Sequence, residues 1–384
     1  MNRALYDPAQ AHKTIVFYER RIRRDPQSAL DLAFLSGAYL QHSRETGDIA
    51  DAVRAEQAAR RSLAVRSYNN VAAANRLTIS LLTQHRFSDA QRAADRALAQ
   101  YPDDLQAKRL RVEILIERGD YQAAEKSLNR LVRESDHVSV LALHARMLEI
   151  NGEPERSLAI FQRIQSRIER IPDMNPVDVA WYAGKEGDLL AGMGRSEEAE
   201  RAYRRALEAF PRDFKTLTSL ARLAAERGDW LQAIQWGEHS AAIVPAPETL
   251  ALIAEARMAR GETVKAQQQY RLIEAIAKLS RAQGTVYNRQ RAQYLADRNI
   301  HLDEALMLAR RELKERRDIV SWDTLAWVCC RKAMQTKETK RRRALLSEAQ
   351  AAIRIALSRH TRSARIRRHA DLIAQINNDR VSAR

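Results

Sequence analysis

At 384 residues the chain would ordinarily divide into two or three globular domains, yet its 45% hydrophobic and only 6% aromatic content fits an Ala- and Leu-rich stack of helices. No run of 18 apolar residues occurs, which excludes a bilayer-spanning helix, and the adjacent pair Cys329 and Cys330 excludes a disulfide framework. The net charge of +16 is lopsided: residues 331–384 hold 15 Lys or Arg against 4 Asp or Glu, a net of +11 at one end.

Residues 1–11 read as a loose lead-in without the apolar core of a signal peptide, which points to the cytoplasm while leaving an exported mature form open. Residues 12–26 predict a helix ended by Pro26, with Val16, Tyr18 and Ile22 turned inward. A second helix follows over 29–43, with Leu32, Leu35 and Leu40 apolar, and the segment RETGDIAD (44–51) reads as a lengthened turn. The clearest unit lies further on, at Gly187 to Pro211. It reads as the end of one helix, a turn at Gly194, and a second helix in which Ala199, Tyr203 and Ala206 line one face. So short a pair cannot bury its apolar stripe alone and must stack on copies of itself.

Copies of Ala199 fall at Ala55, Ala90, Ala124, Ser157, Ala233, Ala266, Ala305 and Ala349. A turn glycine precedes five of these positions, at Gly119, Gly152, Gly194, Gly228 and Gly261, and Phe87, Tyr121 and Trp230 follow the turns. Pro102, Pro211 and Pro245 close their helices. Three steps are long. The segment IERIPDMNPVD, with Pro172 and Pro176, carries the first excess, and a longer helix over 264–279 with its connection through Gly284 carries the second. The third is QTKETKRRR, read as an inserted loop.

These spacings resemble the tetratricopeptide repeat family over roughly residues 12–375, with Trp322, Leu325 and Ala326 matching its first-helix half and Cys329 replacing the usual Tyr. The resemblance implies an all-α, right-handed superhelical solenoid of stacked helix–turn–helix repeats. On this reading residues 1–330 form the solenoid with its lead-in and half-repeat. Residues 331–384 complete the last repeat with a basic insertion and a capping helix, continuous with the rest.

The family's first helices line a concave groove, and carrying that register across nominates Arg76, Arg109, Arg146, Trp181, Lys185, Arg222, Arg291, Tyr294 and Trp327 as groove-binding residues. The three aromatics among them are expected to be partly accessible. The Lys and Asn pair with which one family variant clamps a C-terminal carboxylate has no match. A second candidate surface is a basic patch of Lys340, Arg341, Arg342 and Arg343 together with Arg359, Arg362, Arg365, Arg367 and Arg368. The two clusters are expected to meet, because Arg362, Arg365 and Arg368 recur at helical spacing and Ile366, Leu372, Ile373 and Ile376 can dock a terminal helix on the last repeat.

Nothing points to catalysis. The sequence has no phosphate-binding glycine loop, no zinc motif and no nucleophile elbow, and His144 reads as a packing residue. The expectation is a scaffold with no cofactor and no metal, binding a protein or peptide partner in its groove. The alternative is a nucleic-acid or other polyanion binder acting through the basic end. A regulatory array serving an enzyme encoded elsewhere is a third reading.

Overall fold

The computed structural model describes residues 7, 9–171, 173–282 and 288–381, which hold twenty α-helices and no strand. A lone first helix, α1 (Gln10–Arg24), precedes nine helical pairs. They are α2 (Ala29–Thr46) with α3 (Ile49–Val65), α4 (Val71–Thr83) with α5 (Phe87–Gln100), and α6 (Leu105–Arg118) with α7 (Tyr121–Glu134). Next come α8 (Val138–Ile150) with α9 (Pro154–Ile168), α10 (Pro176–Gly192) with α11 (Ser196–Ala209), and α12 (Phe214–Glu226) with α13 (Trp230–Ile243). The last are α14 (Pro247–Ala259) with α15 (Thr263–Ala282), α16 (Asn288–Asp297) with α17 (Leu302–Glu315), and α18 (Ile319–Gln335) with α19 (Thr339–Leu357), capped by α20 (Ala364–Val381).

Each first helix packs on its partner and on the first helix of the next pair, while second helices pack chiefly on first helices. The layer in continuous contact is the shorter one, so the ribbon curves toward the first helices, which form the concave wall. The exception is the step from α8 to α10, where contact is slight. There the seven-residue linker 169–175 separates the repeats, and Pro176 opens α10 instead of stopping a helix.

All nine anchor positions, from Ala55 to Ala349 and including Ser157, have no exposed area. Nothing larger fits between the paired helices. Ala199→Leu is therefore expected to cost about 1–3 kcal/mol by overpacking, read as a lower urea midpoint with the helical circular dichroism retained. The turn glycines all take φ between 76° and 81°, and His85 and Asn299, both at 57°, fill the same position in the second and eighth pairs. At Gly187 an added Cβ would strike the ring of Tyr203, and the neighbouring Glu186, odd for an inner slot, is buried against Arg205 at 2.8 Å.

Three expectations are corrected. RETGDIAD is no long turn: α2 runs on to Thr46, and Gly47 and Asp48 alone make the corner. In α1 the buried residues are Ala11, Ile15 and Ile22, with Val16 and Tyr18 only half-buried. The third insertion is no loop either, since its residues lengthen α18 and α19, leaving 336–338 as the connection. Helical extension satisfies the backbone of the extra residues more completely than a loop does. Trp230 begins its helix, as Phe87 and Tyr121 do, but stays 36% exposed while they are buried. Pro172 and Gly284 lie outside the described residues.

The superhelix closes on itself. The turn of the first pair meets the linker after the sixth, where a Cβ on Gly47 would lie 2.7 Å from Val244. The turn of the third pair meets the linker after the eighth: Arg317 N donates to Arg118 O at 2.9 Å and Ile319 N to the Tyr121 hydroxyl at 2.9 Å. The turn of the fourth pair meets the linker after the ninth, where Arg359 pairs with Glu125 and donates to Asn151. An offset of five pairs thus recurs at three places. Successive superhelical turns stack edge on edge.

Candidate functional site

On the concave wall Trp181 stands 40% exposed near the start of α10. Around it lies a hollow lined by Arg44, Lys185, Asp188, Lys215 and Ser219. Asp188 accepts from Lys185 at 2.8 Å, from Ser219 at 3.0 Å and from the Tyr203 hydroxyl at 3.1 Å. Burial would raise its carboxyl, but Lys185 holds it below the ordinary value. Arg44 arrives from the first pair and bridges to Asp178. Among the described residues Lys215 has no carboxylate within salt-bridge distance, and burial, with Lys185 nearby, lowers its ammonium. The hollow therefore combines one aromatic face, two tied ion pairs and one untied cation.

Other expected groove residues divide between this wall and the interior. Arg109 is tied to Glu113 at 2.7 Å, and Arg222 is exposed on α12. Half-buried Arg76 lies 5.4 Å from the Phe34 ring centroid, and burial lowers its pKa. Arg291 points between the outer helices, with both Glu274 oxygens at 2.9 Å and Glu304 at 3.4 Å.

Tyr294 and Trp327 are not accessible: each is only 9% exposed. Tyr294 sits in the main apolar cluster under the Arg291 guanidinium. Trp327 is covered because α20 packs on α18, stacking the His369 ring 4.3 Å from the indole with planes 2° apart. The indole N–H donates to Asp297 at 2.7 Å, and His369 meets the fully buried Asp323 at 2.9 Å. His369 is thus an internal group rather than part of a solvated tail.

The basic end does not assemble as one patch. Arg359 is spent on Glu125, Arg362 pairs with Glu155 at 3.0 Å from a linker position before α20, and Arg365 lies 3.4 Å from Asp323. Arg367 donates to the Thr361 carbonyl at 3.3 Å, and Arg368 stays exposed. Lys340, Arg341 and Arg343 are exposed and Arg342 half-buried in the first turns of α19, some 15 residues and about 22 Å from the start of the other cluster. Arg341 lies 3.6 Å from Asp303, which Lys332 also holds at 2.6 Å. Cations crowded at a helix N-terminus oppose the helix dipole, so this group does not stabilise α19.

Sequence reasoning missed a charged network at the stacked edge. Glu117 meets Arg146 at 2.6 Å and Arg316 at 3.1 Å. Arg316, 5% exposed, also holds Asp318 at 3.1 Å and lies 4.7 Å from the Phe87 ring centroid, while Arg289 reaches Asp318 at 2.9 Å. Burial would raise the Glu117 carboxyl, but Arg146 and Arg316 hold it down at about 2. His85, across the same edge, is pushed down to about 4 by burial and by Arg316. Both cysteine thiols are fully buried, and burial pushes Cys330 up to about 11 and Cys329 higher still.

Among solved structures, human IFIT1, a dimer with PPP-AAAA, aligns over 91% of this chain and 79% of its own, with TM-score 0.55 and 14% identity. A tetratricopeptide repeat protein from Parabacteroides merdae aligns over 62% of this chain and 92% of its own, with TM-score 0.44 and 18% identity. PilW, a widely conserved type IV pilus biogenesis factor, aligns over 54% and 93%, with TM-score 0.43 and 18% identity. No curated protein matches the sequence. No helix among the described residues is long and apolar enough to cross a membrane. The family model for the tetratricopeptide repeat matches residues 75–139 and 185–246, and with the repeated pairs around them this chain is a tetratricopeptide repeat protein.

Proposed function

We propose that the protein is a binding scaffold that holds a segment of a partner protein against its concave wall, with Trp181 as the anchor. Tetratricopeptide repeats serve in general as protein-interaction scaffolds. The observation that carries the finer reading is the hollow at Trp181: an accessible indole on the inner face, ringed by charges of both signs. Aromatic side chains in partly desolvated hollows dominate protein interfaces, and charges around them set register more than affinity. The basic end is a weaker candidate, because three of its arginines are already paired within the chain.

The test uses a partner captured by the wild-type protein from its native host. Trp181→Ala is expected to weaken that partner by about 2 kcal/mol, roughly 30-fold, with the helical circular dichroism retained. Leu231→Ala, on the outer helix α13 and 52% exposed, is the control. Equal affinity of Trp181→Ala and wild type would remove the concave wall from the interface.

A further inference from the structure

We infer that the concave wall is the inside of a closed bore, and that its occupant is an extended polypeptide segment entering by a free end. The inference rests on the concave-wall reading and adds the form of the partner to it. Contacts at the edge between the first and second superhelical turns recur along its length. Arg44 bridges to Asp178, Ser88 donates to Glu315 at 2.7 Å, Arg118 accepts from Arg317, and Arg359 meets Glu125. A groove sealed in this way has no open side along these repeats, so a loop or a folded domain cannot be laid into it.

The titrating groups inside show the same enclosure. Glu149 and Lys215 are exposed to water, and Lys185 and Asp188 keep 47% and 41% of their side-chain area open. Yet burial raises the Glu149 carboxyl and lowers the Lys215 ammonium. Exposed Glu255 is raised in the same way, by burial and then by Asp297. Side chains that touch water but lack bulk solvation belong to a narrow wet space with protein on all sides.

Width selects the occupant. With an offset of five pairs, five to six inner helices make one turn. Spaced about 9 Å apart and about 5 Å in radius, they enclose a bore on the order of 5–10 Å. An extended chain is about 4.8 Å by about 10 Å in section with its side chains and fits such a bore, whereas a helix is about 10–12 Å across in every direction. Around Trp181 the wall presents Arg44, Lys185 and Lys215 with Asp188, and Glu149 lies near Lys185; charges of both signs suit a mixed polypeptide better than a uniformly charged strand.

The experiment measures thiol labelling of the full chain carrying Glu149→Cys inside the bore or Leu231→Cys outside it. Native Cys329 and Cys330 are fully buried and give a low background. Four maleimides are compared: N-ethylmaleimide, one ending a linear unstructured peptide, one ending a single-stranded oligonucleotide, and one on the surface of a folded protein. N-ethylmaleimide and the peptide are expected to label both sites. The folded carrier is expected to label Leu231→Cys normally and Glu149→Cys at least about 100-fold more slowly, as an open form populated at about 1% or less dictates. Adding Arg359→Gln and Arg44→Gln, which loosen the edge, is expected to raise that slow rate about tenfold or more.

Equal labelling of both sites by the folded carrier would overturn the bore while leaving peptide binding on the wall intact. Failure of the peptide at Glu149→Cys would overturn the extended-chain occupant, and faster labelling by the oligonucleotide than by the peptide would assign the bore to nucleic acid instead.

Discussion

Replacing Glu117 by Gln is expected to destabilise the protein by about 3–5 kcal/mol, because it removes the carboxylate from between Arg146 and Arg316 and leaves buried charge uncompensated. Urea unfolding at neutral pH reads this directly. The same network predicts an acid profile. Glu117 has a pKa of about 2 in the fold against an ordinary 4.5, so its contribution is whole above pH 4.5 and is lost as pH falls toward 2. That displacement corresponds to on the order of 3 kcal/mol. His85 stands at about 4 against an ordinary 6.5, so the stability tied to its neutral form is full above pH 6.5 and is lost as pH falls through 4. Wild-type stability is therefore expected to fall in two stages below pH 6.5, and the Gln variant to lack the lower one. A single acid transition shared by both proteins would remove Glu117 from this role.

Gly119→Ala and Gly152→Ala are expected to be far more damaging than Gly194→Ala, although all three glycines have nearly the same φ. An alanine at any of them costs about 1–2 kcal/mol for the left-handed backbone. At Gly194 nothing else lies within 4 Å. At Gly119 the new Cβ would land on the carbonyl of Arg317, and at Gly152 on that of His360, both backbone atoms of the next superhelical turn. Overpacking there adds about 1–3 kcal/mol, or the turns part to relieve it. Denaturation midpoints measure the first outcome, and a larger radius of gyration by small-angle scattering measures the second. Equal behaviour of all three variants would mean that the turns do not touch in solution.

Most of the fold was legible because each pair is local: the Ala stripe, the turn Gly and the closing Pro all act within one repeat. Trp181 was readable for the same reason, as a position on an inner helix. The closure of the superhelix was not readable. Tyr121 and Ile319 are 198 positions apart, and only the accumulated curvature of the intervening repeats brings them together. That closure claims Arg359 and Arg362, which from sequence look like free surface cations. Tyr294 and Trp327 fail differently. Their register is correct for an inner helix, but α20 and the neighbouring arginines cover the end of the wall.

An ordinary solenoid can gain or lose a unit with little harm, since each unit answers only to its neighbours. The five-pair offset takes that freedom away here. Removing one pair between α9 and α16 would rotate everything downstream by one step, so that Gly119 and Gly152 would face helices where they now face linkers, and Glu117 would lose Arg316. The chain behaves as a threaded part cut to mate with its own next turn. Its copy number is fixed by pitch, and evolution by duplication of whole units, the usual route for such arrays, is closed to the interior of this one.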